Sequence, residues 1–133
     1  MPISGATLLL GGVVSATGGT SKTFTDVGES IKNGKKVTDL SVTDARVRPT
    51  ITCVNRPAAL NSLGKYISKD KKTAKLVWPK LLTDGSLVFN VREIRVEDHP
   101  ETTDAEKANM DSYAAQLLCD VDFQAFIRNG STS

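Results

Sequence analysis

Arginine, lysine and threonine recur at alternate positions in the strand-like segments of the first two thirds of the chain. Alternate residues of a strand share one face, where cations can bind phosphates and hydroxyls can bond to base edges. An ordinary polar outer face of a half-buried sheet is the alternative interpretation. The candidate nucleic-acid-binding residues of this pattern are Arg46, Arg48, Thr50, Thr52, Thr73, Lys75, Asn90 and Arg92.

Residues that usually perform catalysis are sparse. His99 is the only histidine and precedes Pro100 in an acidic connection, which is typical of a solvated loop residue. Asp98, Glu101 and Asp104 are better explained as charges favoured at a helix start than as paired catalytic carboxylates. No cysteine cluster or phosphate-binding glycine motif is present. We therefore expect no enzyme activity, no cofactor, no metal and no small-molecule substrate.

Charge is divided unevenly along the 133 residues. Residues 1–95 hold 15 lysines and arginines against 7 acidic residues, whereas residues 96–133 hold 2 against 8, so the net charge is only +2. Such asymmetry indicates a polyanion-binding region. Two solvated surfaces with a chance bias are the alternative explanation.

Composition predicts a single domain over residues 1–133. Because only 5% of residues are aromatic, a lone protomer would be modestly stabilised, which favours an oligomer. Cys53 and Cys119 lie among apolar neighbours, so we expect reduced core residues and no disulfide. The sequence has neither an apolar run of membrane-spanning length nor a signal-peptide pattern, so we expect synthesis in the cytoplasm.

Apolar alternation and turn residues predict strands up to residue 96. An N-terminal hairpin is expected from Ala6–Leu10 and the glycines that follow, and Asn33-Gly34 predicts a two-residue hairpin turn. A bulge near Arg92–Glu93 is expected because the parity of apolar residues changes there. A long connection is expected between Arg56 and Lys72 and a turn over 83–86. The meander strands are predicted at residues 22–27, 35–42, 45–54, 73–82 and 87–96.

The apolar period becomes helical after residue 100. Thr103 to Glu106 form a capping box, and a second short helix or a kinked continuation ends at Asn129-Gly130. Strands followed by helices predict an α+β fold, with both helices on one face of an antiparallel sheet and the basic face open. The residues expected to pack in the core or dimer interface are Tyr113, Leu117, Leu118, Phe123 and Phe126.

The ordered pattern resembles the coat proteins of single-stranded RNA bacteriophages, the levivirus family, over essentially the whole chain. The segment from Thr73 to Lys80 resembles the family's Thr-x-Lys-apolar-x-apolar-Pro-Lys strand, and Thr103 to Leu118 resembles its first helix. Weaker matches in the same order are Lys32-Asn33-Gly34, Ile51-Thr52-Cys53 with Arg56, and Val88 to Arg92.

This resemblance implies an intertwined homodimer with a joined ten-stranded sheet, helices crossing over the partner, and assembly into an icosahedral shell. It implies that the open sheet face binds single-stranded genomic RNA, and in relatives also a hairpin at the replicase start, which represses translation. It implies a virion protein assembled in the bacterial cytoplasm. By position, Thr52, Thr73 and Lys75 match residues around flipped-out adenines, and Arg56, Asn90 and Arg92 match further RNA contacts. Val88 and Arg92 differ from the family's aromatic and acidic residues there.

Two other functions fit the residue pattern without the resemblance. A cellular RNA-binding module would use the same basic sheet face without building a shell. A structural oligomer would have no role in nucleic-acid binding.

Overall fold

An antiparallel sheet of five strands and a pair of helices make up residues 4–131, the part of the chain that the computed structural model describes. The sheet belongs to a compact unit, Thr20–Pro100, and the helices belong to a second unit with the residues before Thr20. This is the predicted α+β composition. Within residues 4–131, no helix is long and apolar enough to cross a membrane.

The five strands follow one another in the sheet in chain order, and each pairs antiparallel with the next. All five predicted meander strands are therefore present, with shifted bounds. The last two strands are the longest, with 12 residues each, and they pair over their whole length. The strands are β1 Phe24–Asp26, β2 Gly34–Asp39, β3 Thr50–Arg56, β4 Asp70–Leu81 and β5 Leu87–Asp98.

Local residue chemistry explains the two turns that the sequence predicts. Asn33 has a φ of 56°, and a Cβ added at Gly34 would collide with the carbonyl oxygen of Cys53. The turn between β4 and β5 is held by Asp84, whose Oδ1 accepts bonds from Ser86 N at 2.9 Å and Ser86 Oγ at 2.6 Å. The chain turns at both places. However, residues 27–33 connect β1 to β2, so the first is not a two-residue hairpin.

The predicted strand over residues 45–54 is wrong in its first half. Ala45–Val47 form a turn of 3-10 helix, and β3 begins only at Thr50. Asp44 caps this turn, because its Oδ1 accepts a hydrogen bond from Arg46 N at 3.0 Å. Pro49 cannot donate to a strand ladder. A local bond from side chain to backbone has thus replaced the strand that apolar alternation indicates.

The bulge expected near Arg92–Glu93 is also absent. The register of β4 with β5 runs without interruption from the pair Asp70–Asp98 to the pair Leu81–Leu87. The change in apolar parity along β5 has another cause: both faces of this strand carry apolar side chains.

Residues 4–19 contain no strand, so the expected N-terminal hairpin is not formed. Polar contacts with the first helix hold this arm instead. Leu9 N donates to Gln116 Oε1 at 2.7 Å, and Gln116 Nε2 donates to Leu9 O at 2.8 Å. Ser112 Oγ donates to the carbonyl oxygen of Gly12. Because one side-chain amide satisfies both backbone groups of Leu9, the segment needs no strand partner there.

The two helices are α1 Asp104–Cys119 and α2 Val121–Asn129. The predicted capping box is confirmed: Thr103 Oγ1 accepts from Glu106 N at 3.2 Å, and Glu106 Oε2 accepts from Thr103 N at 3.1 Å. Gly130, with a φ of 75°, ends α2 in the left-handed conformation.

A single chain has no apolar core within residues 4–131, where no aliphatic, aromatic or cysteine side chain is fully buried. Ile94 is 53% exposed and Leu118 is 49% exposed. Cys53 and Cys119 are free thiols, but both are exposed, so the expectation of core cysteines is wrong for the isolated chain. Since apolar burial is the main favourable term in folding, this chain requires other surfaces to cover it.

Replacing Gln116 by leucine is expected to release the N-terminal arm. Gln116→Leu keeps the side-chain size but removes both bonds to Leu9, so the amide of Leu9 should exchange on the order of tenfold faster with deuterium. Gln124→Leu is the matched control, because Gln124 Nε2 reaches only the nearby Cys119 carbonyl at 3.3 Å. Unchanged exchange at Leu9 in Gln116→Leu would show that another contact holds the arm.

Candidate nucleic-acid interface

The strand register sorts the sheet residues between two faces, because residues directly opposite on neighbouring strands point to the same side. One face, the threonine face, carries every threonine of the five strands and a set of cations. The other, the apolar face, is rich in aliphatic residues. The threonine face comprises Thr25, Thr38, Thr50, Thr52 and Thr73 with Lys36, Arg56, Lys71, Lys75 and Arg95. The apolar face carries Val37, Ile51, Cys53, Ala74, Leu76, Ile94 and Val96, together with the cations Lys35, Lys72, Lys80 and Arg92.

Five of the predicted binding residues share the threonine face. Thr52 lies directly opposite Lys75 on the neighbouring strand, and Arg56 lies directly opposite Lys71. Thr50 and Thr73 are two residues along their strands from Thr52 and Lys75, respectively, and so point the same way. Hydroxyls and cations therefore alternate across the middle of the sheet.

Asn90 and Arg92 lie on the apolar face, so the prediction that they accompany Lys75 is wrong. The register pairs Arg92 with Leu76 and Asn90 with Trp78, whereas Lys75 is opposite Glu93. Alternation within one strand shows which of its own residues share a face. The register between strands decides which residues of two neighbouring strands lie on the same side of the sheet.

Arg46 and Arg48 belong to neither face, because they lie in and beside the 3-10 turn. Arg46 forms a two-point ion pair with Asp44, with Nη2–Oδ2 at 2.9 Å and Nε–Oδ1 at 3.1 Å. The hydrogen bond from Arg46 holds the pKa of the Asp44 carboxyl below its usual range. Arg48 Nε donates to Val42 O at 2.7 Å. Both guanidinium groups therefore bind their own loop and do not belong to the threonine face.

The interface includes an aromatic residue, Phe89, that the residue pattern did not single out for binding. Phe89 lies opposite Pro79 on the threonine face, and its side chain is 60% exposed. Such a ring offers a flat surface on which an unpaired base can stack. Phe89 was missed because it alternates with Leu87 and Val91, which is the pattern of a buried face. Aligning β5 with β4 by register would have found it.

Carboxylates moderate the charge of the threonine face. Glu97 Oε1 lies 2.7 Å from Arg95 Nη2 and 3.7 Å from Lys71 Nζ. The hydrogen bond from Arg95, helped by the nearby lysines, lowers the pKa of Glu97, so this carboxylate stays charged at neutral pH. Within residues 4–131, neither Arg56 nor Lys75 forms an ion pair. These two cations are the ones with the most charge available for a phosphate.

A shallow concavity of about 230 Å³ lies among the cations of this face. Its lining is Val54, Arg56, Lys71, Thr73, Glu93 and Arg95. In the same part of the chain, residues 4–131, no group of three or more histidine, cysteine, aspartate or glutamate residues is placed to hold a metal. The chemistry offered by the face is therefore ionic contact, hydrogen bonding and stacking.

Comparison with solved structures decides the family. The structure of the virus-like particle of bacteriophage GQ-907 matches with a TM-score of 0.91 and 33% sequence identity, over 98% of this chain and 99% of that chain. The chain belongs to the levivirus-like coat proteins. The coat protein is thus a structural component of a virus particle, which the sequence resemblance had implied. Membership in this family favours a coat protein of a virus particle over a cellular RNA-binding module.

More distant coat-protein structures share the fold. The virus-like particle of bacteriophage AVE019 has a TM-score of 0.70 at 14% identity, over 91% of this chain and 95% of that chain. The virus-like particle of Beihai levi-like virus 21 has a TM-score of 0.67 at 14% identity, over 90% of this chain and 93% of that chain. No protein-family model and no curated protein sequence matches the coat protein.

The helix residues of the coat protein predicted to pack in the core or between copies are largely uncovered in a single chain. Leu117 is 40% exposed, Phe126 is 45% exposed and Tyr113 is 37% exposed. Leu118 is exposed as well, whereas Phe123 is half-buried. These side chains remain candidates for contacts between copies.

Arg48 is expected to contribute to stability, in contrast to Arg46. Arg48→Ala should lower the free energy of unfolding by about 1–2 kcal/mol, because the variant leaves the Val42 carbonyl without its donor. Arg46→Ala is the matched control and should leave stability nearly unchanged, since its ion pair with Asp44 is exposed. Urea unfolding at equal protein concentrations, followed by circular dichroism, measures both. Equal stabilities of the two variants would contradict the structural role of Arg48.

Proposed function

We propose that this coat protein forms a homodimer, assembles into an icosahedral shell and packages single-stranded RNA against the threonine face. The observation that carries the RNA part is that one side of the sheet holds every strand threonine, the exposed Phe89 ring and five of the nine strand cations. Assembly occurs in the bacterial cytoplasm, and the product is the virion.

The free edge of β5 supports the dimer. Among the described strands β5 is bonded only to β4, which leaves the other edge of a 12-residue strand unpaired. A long open edge invites pairing with another strand. Two β5 strands that pair antiparallel across a twofold axis would extend the sheet continuously, because such an interface uses the same surface on both copies.

Exposed apolar surface gives the dimer its main driving force. An apolar cavity of about 460 Å³ lies on the sheet, and Cys53, Ala74, Ile94 and Val96 are among its lining residues. The helices expose Leu117, Leu118 and Phe126 as well. In the proposed dimer, the helices of one copy cover the apolar face of the other. This arrangement buries surface that a single chain leaves in water.

The open threonine face then binds RNA in two ways. Arg56 and Lys75 neutralise phosphates and release counterions, which makes the packaging strong and dependent on salt. Thr52 and Thr73 can bond to the edges of unpaired bases, and Phe89 can stack on one of them. A hairpin at the replicase start of the phage genome would use these base contacts, and its binding would repress translation.

Expression of the chain in bacteria tests the proposal. We expect uniform particles by electron microscopy, which elute ahead of free dimer in size-exclusion chromatography and absorb more strongly at 260 nm than at 280 nm. The excess absorbance at 260 nm reports the RNA. Small dimers without RNA at native salt would refute shell assembly and packaging together. Empty particles would refute packaging alone.

Substitutions that separate the two faces test the RNA-binding surface. Arg56→Ala and Lys75→Ala should each lower RNA retention and reduce the slope of log affinity against log salt by about 1, because each removes one phosphate contact. Arg92→Ala is the matched control, since Arg92 lies on the apolar face. Electron microscopy establishes that all variants assemble. An equal loss of RNA in Arg92→Ala would overturn the choice of face.

A further inference from the structure

The connection between β3 and β4, residues 57–69, is an ordered loop. Its tip is organised by Asn61, whose Oδ1 accepts hydrogen bonds from Leu63 N at 3.0 Å and Lys65 N at 2.9 Å. Asn61 N also donates to Lys65 O at 2.8 Å. One side chain thus fixes the backbone of the whole tip, as in an Asx turn.

The base of the loop is fixed independently of the tip. Ala58 N donates to Asp70 Oδ1 at 2.7 Å, and Ala59 N donates to Ser68 Oγ at 2.8 Å. The ring of Tyr66 packs edge-on against His99, with 5.7 Å between ring centroids. The loop therefore has a defined conformation before it meets any partner, so less entropy is lost on binding.

This rigid loop holds aliphatic side chains in solvent. Leu63 at the tip is 80% exposed, Ile67 is 65% exposed and Leu60 is 55% exposed. A sequence that needed only a connection would place polar residues here. Several exposed aliphatic residues on one preorganised loop favour a protein–protein contact.

Charge identifies the partner of the loop. Residues 57–69 contain Lys65 and Lys69 and no acidic residue, whereas residues 101–133 contain 6 acidic residues against 2 basic ones, and one of the acidic residues, Asp122, is buried. The helices formed by that acidic segment also expose Met110 and Val121, which the proposed dimer contact does not use. A cationic, aliphatic loop is complementary to such a surface in both charge and apolar character. Aliphatic side chains give an RNA strand little to bind, which argues against RNA as the partner.

We propose that loop 57–69 of one copy docks on the acidic helical surface of another copy, with Leu60 and Leu63 as its anchors. The inference rests on the proposed assembly, because a coat protein in a shell is surrounded by copies of itself. The loop would be a third contact between copies, besides the β5 edge and the apolar face of the proposed dimer.

Photo-crosslinking in assembled particles tests the contact directly. Leu63→p-benzoylphenylalanine chains are mixed with heavy-isotope wild-type chains, reassembled, irradiated and digested for mass spectrometry. We expect mixed-isotope crosslinks that join the loop to peptides within residues 101–133. Crosslinks to RNA, crosslinks within one isotope only, or crosslinks to other segments would each overturn the inference.

A pair of variants measures the contribution of the contact to assembly. Leu60→Ser with Leu63→Ser should lower the particle yield on the order of tenfold, because the anchor residues dominate a protein interface. Val13→Ser is the matched control, since Val13 is 90% exposed but lies in the arm. Wild-type particles in the same experiment establish shell assembly itself. Normal yield of the loop variant beside wild-type particles would refute the loop contact alone, whereas absent wild-type particles would refute the proposed function.

Discussion

The structure depends on apolar burial that a single chain does not provide. Within residues 4–131 the buried residues are polar ones and prolines, such as Asp39, Gln116 and Pro79, while Ile94 and Leu118 remain exposed. Folding stability is a small difference between large terms, and apolar burial is the largest favourable one. In the proposed assembly, folding of this coat protein would therefore be coupled to its association with other copies, as in obligate oligomers.

Local polar bonds define much of the backbone in the absence of a core. The Thr103 capping box starts α1, Asp84 closes the turn between β4 and β5, and Asn61 organises the loop tip. Gln116 holds the N-terminal arm in place of a strand. Each of these hydrogen bonds forms within one chain and does not require a second copy. Such bonds can order the backbone of surfaces that later pack between copies, which lowers the entropy lost on assembly.

The sequence was sufficient for features that local residue chemistry determines. The strand meander, the turn at 83–86, the capping box and the end of α2 at Gly130 follow from residue pattern alone. It was insufficient where two segments had to be aligned. Asn90 and Arg92 were placed on the wrong face because nothing in β5 by itself specifies its register with β4. The arm was misassigned because its partner, Gln116, lies 107 residues away.

The register also divides the sheet between the two kinds of partner in the proposed function. Every strand threonine points one way, with the cations Arg56 and Lys75, while Leu76 and Ile94 point the other. Glu97 limits the charge of the polar side by holding Lys71 and Arg95. Like charges crowded on one face repel each other, so an interspersed carboxylate stabilises the unbound sheet. In the proposed packaging, the same carboxylate would weaken each phosphate contact that it competes with. Such a face would favour many moderate contacts along a strand of RNA over a few strong ones.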